Sequence, residues 1–234
     1  MTIDKIFKEA IKKTKTFLEI VKINDEHCIK HGEEVATIVS KCLEIGRKKD
    51  LIQWSDEECM DILIGSMIID SGMAYLPFNL YYAERELTNA EKRIVEMHPY
   101  IGQVLAEHAN FSSMVQNIIL MHHANANGTG YPYIDGRPLI SNDILKEEPS
   151  NGIVVPDYVW LVIYADRFCA LTETKSYRPG FNYAEAWKRV HMMIKDKKIS
   201  YKYRRIFESF VQNEGFNCKN ITVENNDNIS EKAS

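Results

Sequence analysis

No stretch of this chain approaches the roughly 18 consecutive apolar residues of a membrane span, so neither a spanning helix nor a membrane partner is expected. The opening Met-Thr-Ile-Asp-Lys-Ile lacks the layout of a secretory signal. No two of the five cysteines (Cys28, Cys42, Cys59, Cys169, Cys218) form a CxxC pair. An odd count, with several on helical apolar faces, reads as reduced thiols of a cytoplasmic protein. Excess charge of one sign is missing too. A net charge of −4 gives no global attraction to DNA, RNA or anionic lipid, so an anionic ligand would need local cations. Strict apolar alternation is scarce and no Asn-Gly hairpin separates apolar runs, which argues against a β-rich fold. Internal repeats and a linker between two folded halves are absent as well.

What is present is helical periodicity. The 234 residues, 45% hydrophobic, suffice for a sizeable core. Residues 3–22 alternate apolar and Lys/Glu positions at helical spacing, and 31–47 repeat this with Val35, Ile38, Val39 and Cys42 on one stripe. Ser55 before an acidic first turn predicts a helix running towards Asp70. Thr88 with Glu91 three residues on forms a capping box opening another. Further helices fit 111–123, 156–172, 182–195 and 201–213, and 125–155 reads as a long loop. The expected organisation is all-α: an N-terminal helix (1–24) packed on the core, a main domain (25–216) and a polar, disordered tail (217–234).

The same periodicity turns several polar residues inward. His31 opens the 31–47 stripe and Asp70 closes the stripe Cys59, Ile62, Leu63, Ser66, Met67. His98 falls among Ile94, Ile101 and Leu105, His122 and His123 follow Ile118 and Ile119, and Asp166 sits with Val162, Ala165 and Cys169. An inward carboxylate is costly unless paired or bound to a cation. One inward His or Asp is ordinarily a hydrogen-bonded core residue, but two aspartates and four histidines at similar depth point to a shared metal centre. Imidazole and carboxylate suit Fe, Mn or Zn, and one aspartate can bridge two ions that activate water for attack on phosphorus.

The order His31, Asp70, His98-Pro99, His122-His123, Gly128-Thr129-Gly130-Tyr131-Pro132, Ala165-Asp166 resembles the HD-GYP branch of the HD-domain phosphohydrolases, over about residues 25–215. Leu87-Thr88 with Glu91 ahead of His98, and Ala170-Leu171-Thr172 with Tyr177-Arg178 after Asp166, agree with it. The resemblance implies a helical bundle around two divalent ions, Fe or Mn, and hydrolysis of cyclic di-GMP or a similar cyclic dinucleotide. Carried over, Asp70 is the catalytic bridging carboxylate. His98, His122 and His123 complete one metal site with it, and His31 and Asp166 serve the other. Gly130, Tyr131 and Pro132 form the substrate turn, and Lys175 and Arg178 hold phosphates and guanine.

The chain departs from the family at Ile69 and Met73, where the HD histidine and the lysine of HDxGK are expected. It departs again at Ala124 for the glutamate of HHE, at Asn127 for the aspartate before the GYP segment, and at Cys169 for an aspartate. His27, one turn before His31, is a candidate replacement ligand. Two other readings stay open: a degenerate module that binds metal or nucleotide as a sensor or signalling-protein partner, and a phosphohydrolase on another phosphoester. Trp54, Trp160 and Trp187 are expected in the core, and Met60, Met67, Met73, Met192 and Met193 as gap-filling core residues.

Overall fold

The computed structural model describes residues 1–22, 26–81, 83, 85–141, 152–174 and 179–213, apart from the side chains of His27 and Tyr81. Expectations at the His27 side chain, Lys175, Arg178 and the tail from 217 therefore lie outside the described residues. The described chain is all-α: α1 (Ile3–Lys22), α2 (Glu26–Lys48), α3 (Asp56–Met67), a 3-10 turn (Ser71–Tyr75), α4 (Phe78–Tyr81), α5 (Asn89–Val95), α6 (His98–His108), α7 (Ser113–Met121), α8 (Asp157–Thr172), α9 (Tyr183–Lys195) and α10 (Arg204–Asn213).

Helix starts follow local chemistry. Ser55 and Glu58 close a reciprocal capping box on α3, as Thr88 and Glu91 do on α5, each satisfying amide groups the helix itself leaves unpaired. Ser112 and Asn182 accept from the third-residue amides of α7 and α9. Helix α1 packs Ile3, Ile6 and Ala10 into the core against α2 and α3, while Lys8–Asp4 and Lys12–Glu9 pairs face water.

Helix α8 is the axis of the bundle, packed against α2, α7 and α9, with Val159 to Asp166 buried without interruption. A helix apolar all round can be stable only as a central element. Burying each of its larger aliphatic or aromatic side chains stabilises the fold by about 1.5–3 kcal/mol. That burial anchors Asp166 at a fixed depth. Trp160 and Trp187 are buried, and Trp54 packs on Tyr203.

Several expectations need correction. Asp70 is not on α3: the helix stops at Met67, and Asp70 precedes the 3-10 turn. The segment opened by Thr88 is two helices, broken before His98. Ile94 is 43% exposed, so the inward face around His98 is made by Pro99, Gly102 and Ala106 instead. Small residues serve there because α6 meets the 3-10 turn and α7 at close range. Within the expected loop, β1 (Leu139–Ile140) and β2 (Ile153–Val154) pair in parallel as a two-residue ladder. Met192 is exposed at 55%, not a core filler, because it lies on the wet face of α9.

Candidate metal centre

Two backbone approaches assemble the centre. A β-carbon on Gly32 would stand 2.1 Å from the Met67 carbonyl oxygen, so α2 touches the end of α3 beside His31. A β-carbon on Gly72 would stand 2.0 Å from the His98 carbonyl oxygen, so the turn after Asp70 lies directly on the first turn of α6. Only glycine permits either contact. Through them, residues on α2, the α3 exit, α6 and the end of α7 reach one point.

The ligand atoms of Asp70, His98, His122 and His123 lie within 4.8 Å of one another. Asp70 Oδ1 is 3.3 Å from His98 Nε2 and 3.4 Å from His122 Nε2, and the two ring nitrogens are 3.2 Å apart. Each ring uses its other nitrogen on a backbone carbonyl: His98 Nδ1 on Val95 O at 2.7 Å and His122 Nδ1 on Ile119 O at 2.6 Å. A carbonyl accepts only, so both Nδ1 atoms carry the proton and a neutral ring presents a bare Nε2 lone pair. Two lone pairs and a carboxylate oxygen thus face each other. That donor set fits a cation: ligands bonded at about 2.0–2.2 Å to one ion stand roughly 3.0–3.5 Å apart. His123 adds a buried Nδ1 with no hydrogen-bond partner among the described residues.

The second oxygen of Asp70 turns the other way. Asp70 Oδ2 is 3.8 Å from His31 Nε2, which is 3.0 Å from Asp166 Oδ1. Both His31 and Asp166 are buried. His31 Nδ1 hydrogen-bonds to Glu173, with the Cys169 thiol 3.8 Å away. Cys169 also lies 3.5 Å from Glu34 Oε2 and 3.4 Å from Glu173 Oε1. Ile69, where the family's histidine is expected, is fully buried among apolar side chains.

Electrostatics follow from this crowding. Burial works to raise the Asp70 carboxyl, but with no ion present a proton held on Nε2 of His122 or His98 bonds it and keeps it well below the usual carboxylate range. Burial works to lower His31, yet Asp166, Cys169, Glu173 and the charge of Asp70 hold it well above the usual imidazole value. His123 is pushed well below that value by burial, then by His122, His98 and Arg167. Burial pushes the Cys169 thiol up to about 12.

The glycine-rich turn closes over this cluster. A β-carbon on Gly130 would meet His123 O at 2.3 Å, so the turn lies against the end of α7. Tyr131, joined to Pro132 by a cis peptide, stacks on His123 with centroids 4.6 Å apart. Burial, foremost, pushes its hydroxyl upward, so Tyr131 stays a neutral donor. Glu173, Glu34 and Arg167 were missed by the sequence reading. Glu173 shares a stripe with Asp166 and Cys169 at helical spacing, a signal hidden by its position at the end of α8. Arg167 follows Asp166 directly, acts on both His123 and Tyr131, and has no ion-pair partner among the described residues.

Fold and cluster together define an all-α bundle built around inward histidines and carboxylates, with a tyrosine-bearing turn at one side. Residues 15–138 match the HD domain family, more than half of the chain, and the chain belongs to that family. Its Gly-Tyr-Pro turn sets it with the HD-GYP type. Over 191 residues it is 25% identical to the cyclic di-GMP phosphodiesterase PA4108 of Pseudomonas aeruginosa, covering 80% of this chain and 41% of that protein. Over 166 residues it is 24% identical to the cyclic di-GMP phosphodiesterase PdeB of Borreliella burgdorferi, covering 71% and 38%. The chain thus spans about two fifths of the length of these curated relatives.

Among solved structures, Bd1817, an HDG"Y"P protein of Bdellovibrio bacteriovorus, is similar with TM-score 0.58 at 19% identity, covering 90% of this chain and 62% of that one. The HD domain of L. monocytogenes phosphodiesterase PgpH, solved with cyclic-di-AMP, gives 0.55 at 15%, covering 88% and 95%. At such identity these likenesses show the fold. HD-domain phosphohydrolases are metal-dependent, in keeping with the donor set described above. No described helix is long and apolar enough to cross a membrane.

Proposed function

We propose that this chain is a metal-dependent phosphodiesterase that opens a cyclic dinucleotide, cyclic di-GMP foremost, in a cytoplasmic setting. The observation that carries the reading is the convergence of two bare Nε2 lone pairs on Asp70 Oδ1, all within 3.4 Å. Nothing in the described chain neutralises that arrangement except a proton or a cation. Asp70, His98, His122 and His123 would hold one ion, and Asp70, His31 and Asp166 another, with Fe or Mn favoured. Bound there, two such ions supply Lewis acidity, acidifying a water and taking up charge that develops on phosphorus.

The chain's own groups do the remainder. Asp70 spans both halves through its two oxygens and keeps them in register. Its depressed acidity range leaves it a carboxylate at any working pH. Tyr131, neutral and stacked on His123, offers a hydroxyl donor and a ring edge to a base or phosphate at the mouth of the site. Arg167 supplies the local cation that an anionic ligand needs and that Met73 no longer offers. Lys175 and Arg178 are assigned to phosphate and guanine by resemblance.

The experiment is metal analysis of the purified chain, then turnover of cyclic di-GMP after anaerobic loading with iron or manganese. Cyclic di-AMP and a simple phosphodiester run alongside. Hydrolysis of cyclic di-GMP ahead of the others supports the proposal, and inertness with both sites loaded rejects catalysis. A second reading, a module that binds ion and nucleotide without turnover, is favoured by buried Ile69, which supplies no donor to the second site. Tight binding of cyclic di-GMP with no product would establish that reading.

A further inference from the structure

The second half of the centre has three donors, and one of them, His31, has a ring that can carry its proton on either nitrogen. Which nitrogen carries it decides whether an ion can be held. With the proton on Nε2, His31 would donate to Asp166 Oδ1 at 3.0 Å, a satisfied hydrogen bond that closes the ligand atom. With the proton on Nδ1, the Nε2 lone pair faces Asp166 and Asp70 and is open to a cation. Asp166 competes for the proton at Nε2, so once an ion takes that lone pair a half-buried acceptor at Nδ1 is what favours the second state. Glu173 is that acceptor: its side chain is 13% exposed and it bonds Nδ1 directly.

Helix α8 holds the ring on both sides. Asp166, Cys169 and Glu173 stand three and seven residues apart along one stripe, so Asp166 meets Nε2 while Cys169 and Glu173 meet Nδ1. The thiol of Cys169 is a weak partner at 3.8 Å, leaving the carboxylate one turn later as the strong one. Glu34, on α2, touches Cys169 rather than the ring.

We propose that Glu173 is a positioning residue of this centre: by accepting the Nδ1 proton of His31 it fixes the tautomer and ring orientation that open Nε2 to the second ion. The inference rests on the metal-dependent reading above and concerns only the half of the site that Ile69 leaves short of a donor. Carboxylates that orient a ligating histidine are worth about 10–100-fold in metal affinity.

The test is ion stoichiometry and stepwise affinity by chelator competition, with folding followed by circular dichroism. The proteins are the wild-type chain, Glu173→Ala, Glu173→Gln and the double variant Glu173→Ala with Cys169→Asp. Glu173→Ala should weaken one ion about 10–100-fold and leave the other at wild-type affinity. The double variant, which returns a carboxylate to the same stripe one turn earlier, should recover most of that loss. Glu173→Gln keeps size and an acceptor oxygen without charge, so a smaller loss confined to the same ion is expected; it carries the test should the alanine variant fail to fold.

Wild-type affinity for both ions in a folded Glu173 variant overturns the inference. So does equal weakening of both, or no recovery by Cys169→Asp, since either marks a merely structural role. A wild-type chain that takes up no ion overturns the metal-dependent reading itself and the inference with it.

Discussion

Replacing Gly72 with alanine probes how the centre is assembled without touching any donor. The added β-carbon would lie 2.0 Å from His98 O and 2.7 Å from Gly102 N, both backbone atoms that cannot swing aside. Ordinary contact needs about 3.5 Å, so the turn and α6 must part by roughly 1.5 Å. The Asp70–His98 separation, now 3.3 Å, then grows towards about 4–5 Å, against a limit of roughly 4.2 Å for opposite ligands of one ion. Overpacking alone should cost about 1–3 kcal/mol in the chelated chain. The larger effect is on the ion. A ligand at 100 times its dissociation constant adds about 2.7 kcal/mol, or roughly 5–11 °C in Tm for a domain of this size.

Calorimetry with and without manganese should show that rise in the wild-type chain and none in Gly72→Ala. Ile6→Ala, a fully buried truncation on α1, is the control: about 2–5 kcal/mol less stable but with the ion-dependent rise intact. A Gly72→Ala chain that keeps wild-type ion content and the full thermal shift would refute the reasoning.

Three more outcomes follow from named groups. In the chelated chain His31 is held above its ordinary value, so its contribution to stability is complete below about pH 6.5 and is lost as pH rises through the folded value; denaturation midpoints in EDTA should fall on the alkaline side, and a midpoint that rises there contradicts the assignment. Arg167→Ala should raise KM for cyclic di-GMP about tenfold with ion content unchanged, measured by initial rates and metal analysis; an unchanged KM removes Arg167 from substrate binding. Thr88→Ala opens the capping box of α5 and should cost about 1 kcal/mol in chemical denaturation, whereas no loss would mean the cap contributes nothing.

Much of the fold was legible because helices announce themselves locally. Ser55 and Thr88 marked starts, and the apolar stripe of α1 marked its buried face. Asp70 was harder: its stripe suggested a helical residue, whereas the chain leaves α3 at Met67 so that Gly72 can reach α6. The inward face of α6 was misread because Ile94 is exposed and the contact is made by Gly102 and Ala106, residues whose smallness carries no hydrophobic signal. Around α8 the limit was different. A helix apolar on every side has no stripe to read, so Arg167 and Glu173 showed no direction until the neighbouring α2 supplied one. Cysteine at 169 looked like a lost carboxylate, and only the packing of α2 on α8 shows that Glu173, one turn further on, reaches the His31 ring.

The most direct test is anomalous diffraction from crystals of the manganese- or iron-loaded chain at the metal's absorption edge. A peak between Asp70 Oδ1, His98 Nε2 and His122 Nε2, with a second beside His31 and Asp166, is the predicted result. Full loading conditions that leave those positions empty, with the ring nitrogens bonded to water or protein, would contradict the account.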